Sequence, residues 1–439
     1  MAKRLVALVL SAVMVVSLFA GCGKSGSDSA TSTSTSAASS QVATEVKKPV
    51  TLEFWHANSS KEVQAYFELF NKKSPDIQIN QTVYVDDDYK TQSRIALAAK
   101  TSPDVWYINT GESLKQFVDG GGMMDITPYV KEKGWDTRFD EAAQKMCSID
   151  GKMYGLPWSL YTPWMVTWAN KDFFEKNKLE YPKTVDDMIA LAAPLRKLGQ
   201  EPLVFYNKDG WTGAILFGEY VLQQAGTEWI DDINSGKTSW VGNKEAKVAL
   251  ETLAKLEKAG VFLSGYGTQR QDTALLVWKD QKSPLLYNGT WFTQVTGKEL
   301  PFQVETLTMP LLTADTEPKA YQNWIDWTVG ISPETKNVEQ AVEFLDYAGA
   351  VEFYEILGNY EGNLTPCTAA NSKVNVPYFF NKEPITKQLD KPKTQYFCYA
   401  FPLPVIESLQ TQIKLVLSGD ATPDEALAAI EAEHVKNRK

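Results

Sequence analysis

The chain has 439 residues, a formal net charge of −10 and no dense cluster of lysine or arginine. A duplex-binding protein needs a basic face to meet phosphates, so this balance argues against nucleic acid as a partner. The 44% apolar fraction is that of an ordinary globular protein, and the unusual feature is 13 Trp beside 19 Tyr and 19 Phe.

In chain order, Lys3 and Arg4 precede an apolar run from Leu5 to Ala20 that is broken only by Ser11 and Ser17. A short basic start, a run of this length and small residues at the break mark a secretory signal. The run is short for a membrane span, which takes ~20 apolar residues. Its end, Phe19-Ala20-Gly21-Cys22, resembles the lipobox of bacterial lipoproteins, with Phe19 where leucine is usual. That resemblance implies a signal peptide over 1–21, lipidation of Cys22 and attachment to the cell membrane, because several acyl chains together hold a protein stably at a bilayer. A plain cleaved signal with an incidental cysteine is the alternative. The Ser, Thr, Ala and Gly that dominate up to residue 49 bury too little surface to fold, so 22–49 reads as a flexible tether.

About 390 residues follow, enough for two large lobes or two to three domains. "VTLEFWHA" (50–57) reads as a strand and "SKEVQAYFELFNKKSP" (60–75) as a helix with Val63, Tyr66, Phe67 and Phe70 on one face. A strand at 77–85, a helix at 89–100, a strand at 102–109 and a helix with a turn at 113–126 continue the alternation. Such alternation predicts an α/β fold on a parallel sheet, with the ligand at the carboxyl ends of strands. Those ends carry His56 to Ser60 and Asn109 to Ser113. Amphipathic helices are expected from Thr184, over 243–262 and over 337–357, and a last one from the Thr422 cap with Pro423 at its first position.

Cys147, Cys367 and Cys398 fit no zinc spacing, and they read as free and buried, with a Cys367–Cys398 pair as the alternative. There is no H-E-x-x-H, no Walker A segment, and "VDDDYK" (85–90) lacks the Gly and Glu of a calcium loop, so no metal or cofactor is expected. Tryptophans cluster beside polar residues in "EFWHANSS", "GLPWSLYTPWMVTWAN", "KDGWTG", "YNGTWFTQ" and "QNWIDWTVG". A sugar offers C–H faces that stack on flat rings and hydroxyls that need donors and acceptors, so these clusters suit a carbohydrate.

Six segments in order resemble the family 1 extracellular solute-binding proteins, sugar-binding lipoproteins of ABC importers distantly similar to maltose-binding protein. They are "VTLEFWHA", "SPDVWYINTGESLKQFVDGGGMMDITPYV", "DGKMYGLPWSLYTPWMVTWANKDFFEKN", "YNGTWF", "WTVGISPETKNVEQAVEFLDY" and "SGDATPDEAL". The resemblance implies the two-lobed, type II periplasmic-binding-protein-like fold with a ligand cleft between lobes. It places the N-terminal lobe at 50–163 plus 328–366 and the C-terminal lobe at 164–327 plus 367–439. It also implies an extracytoplasmic, monomeric, non-enzymatic protein that captures a carbohydrate, an oligosaccharide by the wealth of tryptophan, and delivers it to ABC permease subunits.

Candidate binding residues follow from the same alignment of segments. His56, Asn58 and Ser59 succeed the first strand, and Glu112 follows the third. Trp158 and Tyr161 flank the first crossing between lobes, Trp324 and Asp326 the second, and Glu361 and Asn363 lie near the third. Trp211 and Trp291 are the expected stacking rings, Trp291 standing for the tryptophan of the family's "GSW" motif. A secreted glycoside hydrolase is the alternative from another class; it needs two carboxyl groups held about 5–10 Å apart. A sensory or adhesive lipoprotein that kept the binding fold is a third reading.

Overall fold

The computed structural model describes residues 49–58, 60–159, 165–292, 300–322, 325–375 and 391–438. The first half opens with β1 (Val50–His56), α1 (Lys61–Lys73), β2 (Ile77–Val83), α2 (Asp86–Ala99), β3 (Val105–Asn109) and α3 (Glu112–Asp119). The Ser60 hydroxyl accepts the Val63 N–H at 3.1 Å and starts α1, whose Val63, Tyr66, Phe67 and Phe70 are buried as their spacing predicts. Then come β4 (Leu156–Pro157), β5 (Met165–Asn170), α4 (Val185–Lys197), α5 (Trp211–Gln224), α6 (Lys244–Lys258), β6 (Leu285–Gly289) and β7 (Val304–Leu307). The chain closes with β8 (Trp327–Ile331), α7 (Val338–Ala348), α8 (Val351–Glu361), α9 (Leu403–Ser418) and α10 (Pro423–Asn437). Capping boxes at Thr184–Asp187 and Thr422–Glu425 start α4 and α10.

Among the described residues, the two sheets of three or more strands organise the two largest cores. The first runs β2-β1-β3-β8-β4, with β1 parallel to β2 and β3. The second runs β6-β5-β7 and is antiparallel throughout. The expected parallel sheet thus holds for the first three strands only. Strand β8 pairs antiparallel with β3 and β4, because it enters the first sheet from the side of the cleft after the chain has built the second. Every residue of β3 and of β8 is buried, as befits central strands covered on both faces.

Around the first sheet, Phe54, Phe67, Trp135, Phe344 and Phe353 pack in one core. Around the second, Phe205, Phe217, Trp240, Phe397 and Phe401 pack in another, with α9 and α10 closing it. Ile325, Trp327, Cys367 and Ala370 also pack in the first core. The pattern over 337–357 also divides into two helices. At the break, a Cβ on Gly349 would lie 2.4 Å from Leu156 Cδ1, so the backbone passes too close to β4 for a side chain. Cys147, Cys367 and Cys398 are buried and free, which removes the Cys367–Cys398 pairing.

Candidate functional site

A chamber of about 360 Å³ is lined by residues at strand ends of both sheets and by the segments beside them. The carboxyl end of β1 supplies Ala57, Asn58 and Ser60, β4 supplies Trp158 and Ser159, and the entry to β8 supplies Asp326 and Trp327. The last turns of α8 add Leu357, Tyr360 and Glu361. From the other side come Trp211 and Ile215 on the first turns of α5, Trp291 just after β6, and Tyr396 and Tyr399 from the segment before α9.

The rings differ in how they are held. On the first wall, Tyr107 and Trp327 stack at 4.1 Å with an 8° tilt, and the Lys90 ammonium stands 5.7 Å from the Trp327 ring centre. Trp158 meets Tyr107 edge-on at 5.3 Å and Phe353 at 4.8 Å, and only 2% of its surface is exposed. Its indole Nε1 has no hydrogen-bond partner among the described residues. On the second wall, Trp211 and Trp291 are half-buried, their centres 6.2 Å apart and tilted by 51°. Trp291 folds back over Gly289, where a Cβ would sit 1.8 Å from the ring, so the ring can take this resting place only over a glycine.

Polar groups stand among the rings. Asn109 Nδ2 donates to Asp326 Oδ1 at 3.1 Å, and the Thr110 N–H donates to the Asp326 carbonyl at 2.8 Å, which fixes that carboxylate at the chamber margin. Burial pushes the Glu361 carboxyl up to about 8. Below Ile215 on the same helix, Glu219 is buried and likewise raised to about 8 by desolvation, against the opposing pull of its bond from Gln322 Nε2 at 3.0 Å. Gln322 in turn donates to the Ile215 carbonyl at 2.8 Å and accepts from the Phe397 N–H at 2.8 Å, so one side chain joins α5 to the segment carrying Tyr396 and Tyr399.

The profile of the bacterial extracellular solute-binding proteins matches residues 56–352, more than half of the chain. This chain belongs to that family. The Multiple sugar-binding protein of Streptococcus mutans is 22% identical over 359 residues, covering 77% of this chain and 79% of the relative. An uncharacterised ABC transporter extracellular-binding protein of Pyrococcus horikoshii is 24% identical over 291 residues, 65% of this chain, and the chain spans 66% of that relative's length. A solved structure from work on xylan utilisation by Caldanaerobius polysaccharolyticus has a TM-score of 0.78 at 20% identity, covering 88% of this chain and 100% of that one. At such identity the likeness speaks for the fold, which is two-lobed and α/β.

In this solute-binding protein, Asn58, Trp158, Trp211, Trp291, Asp326 and Glu361 of the sequence-predicted residues line one chamber. Three others do not. His56 is fully buried, stacked on Phe54 at 4.7 Å with its Nε2 3.2 Å from Gln81 Oε1, and burial lowers its imidazole to about 4. Its place as the last residue of β1, with the side chain inward, makes it a neutral core group. Glu112 lies on an adjoining cavity. Asn363 is buried behind α8, where its N–H donates to the Gly358 carbonyl at 2.9 Å. Ser59, Tyr161, Trp324 and Cys22 lie outside the described residues. No cluster of metal-ligating side chains occurs among the described residues.

Sequence reasoning missed Lys90, Tyr107, Trp327, Tyr360, Tyr396 and Tyr399. The run "YFCYAF" (396–401) is as aromatic as the five tryptophan-bearing stretches and is the sequence signal for the last two. Lys90 is a single cation on an ordinary helix and carries no such signal.

Proposed function

We propose that this chain is a binding protein, not an enzyme, that captures a carbohydrate between its lobes and hands it to the permease subunits of an ABC importer. The observation that carries this reading is the chamber itself, where rings from both lobes stand among carboxyl, amide and hydroxyl groups. Such a wall meets both faces of a sugar's chemistry, and contact with both lobes ties occupancy to closure. The printed name of the Streptococcus mutans relative supports the same class of ligand. We further propose that the protein works as a monomer and, from the sequence Phe19-Ala20-Gly21-Cys22 and the Ser/Thr-rich stretch after it, that a lipid on Cys22 tethers it outside the cell membrane.

A melting-temperature screen against mono- and oligosaccharides tests the ligand class. A ligand at a hundred times its Kd adds about 2.7 kcal/mol to native-state stability, a shift that is readily read. Small-angle scattering should show a smaller radius of gyration at unchanged mass. If no saccharide moves the melt, the carbohydrate reading is wrong. Because Asp326 and Glu361 line the same chamber, release of reducing sugar is measured alongside, and product formation would turn the reading to a hydrolase. Fatty-acid labelling that survives Cys22→Ser would rule out the lipid anchor.

A further inference from the structure

Helix α5 reads "WTGAILFGEYVLQQ" (211–224), and Glu219 is its only charged residue. The helix is buried from Thr212 to Gln223, so that carboxyl stands inside the second core. Desolvating a carboxyl is costly unless other groups hold it, and a core needs none. What holds it is Gln322, on the short strand Tyr321–Gln322, which is buried too. Neither side chain lines the aromatic chamber or the cavity beside it.

The Gln322 side chain binds three groups at once. Its Nε2 donates to Glu219 Oε1 at 3.0 Å and to the Ile215 carbonyl at 2.8 Å, and its Oε1 accepts the Phe397 N–H at 2.8 Å. Both of its N–H groups are thereby used. Gly218 makes room for this, since a Cβ there would be 2.7 Å from Gln322 Oε1 and 2.6 Å from the Phe397 ring. Phe397 is in turn fixed by Trp229, stacked at 5.4 Å, and by Phe217, edge-on at 5.8 Å.

Phe397 sits inside a turn that the Tyr399 N–H closes on the Tyr396 carbonyl at 2.8 Å, and both tyrosines line the chamber. Asn234 Nδ2 holds the end of this turn at the Ala400 carbonyl, 2.9 Å away. The turn also meets the first lobe, where Glu112 donates its N–H to the Tyr399 carbonyl at 3.3 Å. A run of hydrogen bonds thus leads from Glu219 through Gln322 and the tyrosine turn to the start of α3. We propose that Gln322 and Glu219 are positioning residues for solute capture, setting the tyrosine turn against α5 and toward the first lobe without touching the solute. This rests on the reading of the chamber as the place where the lobes close on a ligand.

A proton on Glu219 keeps the joint shut. Burial pushes this carboxyl up to about 8, against an ordinary 4.5. The titratable groups around it are Tyr220 on α5, Tyr287 on β6, Tyr321 beside Gln322 and Tyr396 in the turn, and burial raises all four. Asp326, Glu317 and Cys398 act on these tyrosines. Helices α6 and α9 pack on α5 and bring apolar Leu250, Leu253, Leu409 and Ile413 to the same core. No cation meets Glu219 among the described residues. A carboxylate there has one neutral donor, Gln322, so ionisation favours any opening that lets water in. Opening therefore becomes easier as pH rises from the ordinary value through about 8, and no easier beyond.

Amide hydrogen exchange of the full chain, read by mass spectrometry and corrected for the intrinsic rate at each pH, tests this. Between about pH 5 and pH 8, protection of the hydrogen-bonded Phe397 and Tyr399 amides should fall about tenfold or more, and stay below that of α6 and α10 throughout. In Glu219→Gln, which keeps an acceptor for Gln322, this pH dependence should vanish. Gln322→Met removes the three bonds at similar length and should lower protection of the turn about tenfold already at pH 5. Melting of the apo variant reports whether it folds. Titration with xylotetraose, cellotetraose, chitotetraose and maltotetraose reads the effect on capture. A probe that binds the parent should bind Gln322→Met about three- to tenfold more weakly. Protection of the turn that ignores pH, or that matches α6 and α10 at every pH, makes the pair ordinary core and overturns the proposal. An unchanged Kd in Gln322→Met overturns it too. If that variant fails to fold, the pH profile of Glu219→Gln decides. If none of the four probes binds, the carbohydrate reading falls, and exchange alone upholds or overturns the joint.

Discussion

Trp158 and Trp291 line the same chamber from opposite lobes, yet their surroundings are those of two different kinds of residue. Trp158 is locked among Phe54, Phe67, Tyr107 and Phe353 and shows the cavity little more than an edge. Trp291 is half-buried, rests on the bare α-carbon of Gly289 and keeps ring surface open toward Trp211. One wall of the cleft is the exposed margin of a core, and the other carries rings that leave the core. Lining a cavity is therefore not the same as serving it. Stability and affinity should separate between the two walls.

The largest effect is expected at the locked wall. Trp158→Ala removes a ring from the first core and should cost about 3–5 kcal/mol in denaturant unfolding. A loss of affinity with an unchanged melt would break the comparison by making Trp158 a stacking residue.

Glu219 probes the helix that presents Trp211. Its folded-state value, about 8, lies above the ordinary 4.5, so its contribution to stability is complete below the ordinary value and is lost as pH rises through about 8. Glu219→Gln keeps an acceptor for Gln322 and removes the ionisation. The variant should unfold like the parent at pH 4 and be more stable by about 2–4 kcal/mol at pH 8, the full 1.36 kcal/mol per unit being reduced by local relaxation. Equal melting curves at both pH values would mean that Glu219 titrates normally.

At the open wall, Trp291→Ala should cost ~2 kcal/mol of binding, about thirtyfold in Kd, while the apo melt moves little. A collapsed melt with unchanged affinity would make Trp291 a core residue like its counterpart. The mildest change is Gly289→Ala. Its methyl would meet the Trp291 ring, which must swing aside, so affinity should fall about threefold to tenfold with the fold intact. Unchanged affinity would show that the ring's resting place is immaterial.

How much of this was legible follows from how local each signal is. The buried stripe of α1 and the caps of α4 and α10 depend on neighbours within one or two turns, and the sequence displays them directly. The division between Trp158 and Trp291 is not local. It turns on which lobe's core each ring enters, and "LPWS" and "GTWF" look equally polar on the page. The inward placing of His56 is hidden for a related reason: strand alternation points its side chain into the core, but a lone polar residue at a strand end reads as cleft-facing. The antiparallel sense of β8 and the break at Gly349 depend on a return from the other lobe and on contact with β4, which no window of sequence contains.

Strand β8 also has a consequence for the order in which this molecule can assemble. Val105 pairs with Ile331 and Asn109 with Trp327, so the first sheet lacks a central strand until the chain has extended through both. All three strands of the second sheet lie within that interval, yet its core in turn waits for the helices at the carboxyl end. Each lobe is thus completed by a segment that follows the other in the chain. Such interleaved, long-range pairings make folding slow and leave no stretch of nascent chain that can finish a lobe by itself. The two lobes should therefore gain structure in one late kinetic phase, with neither appearing first.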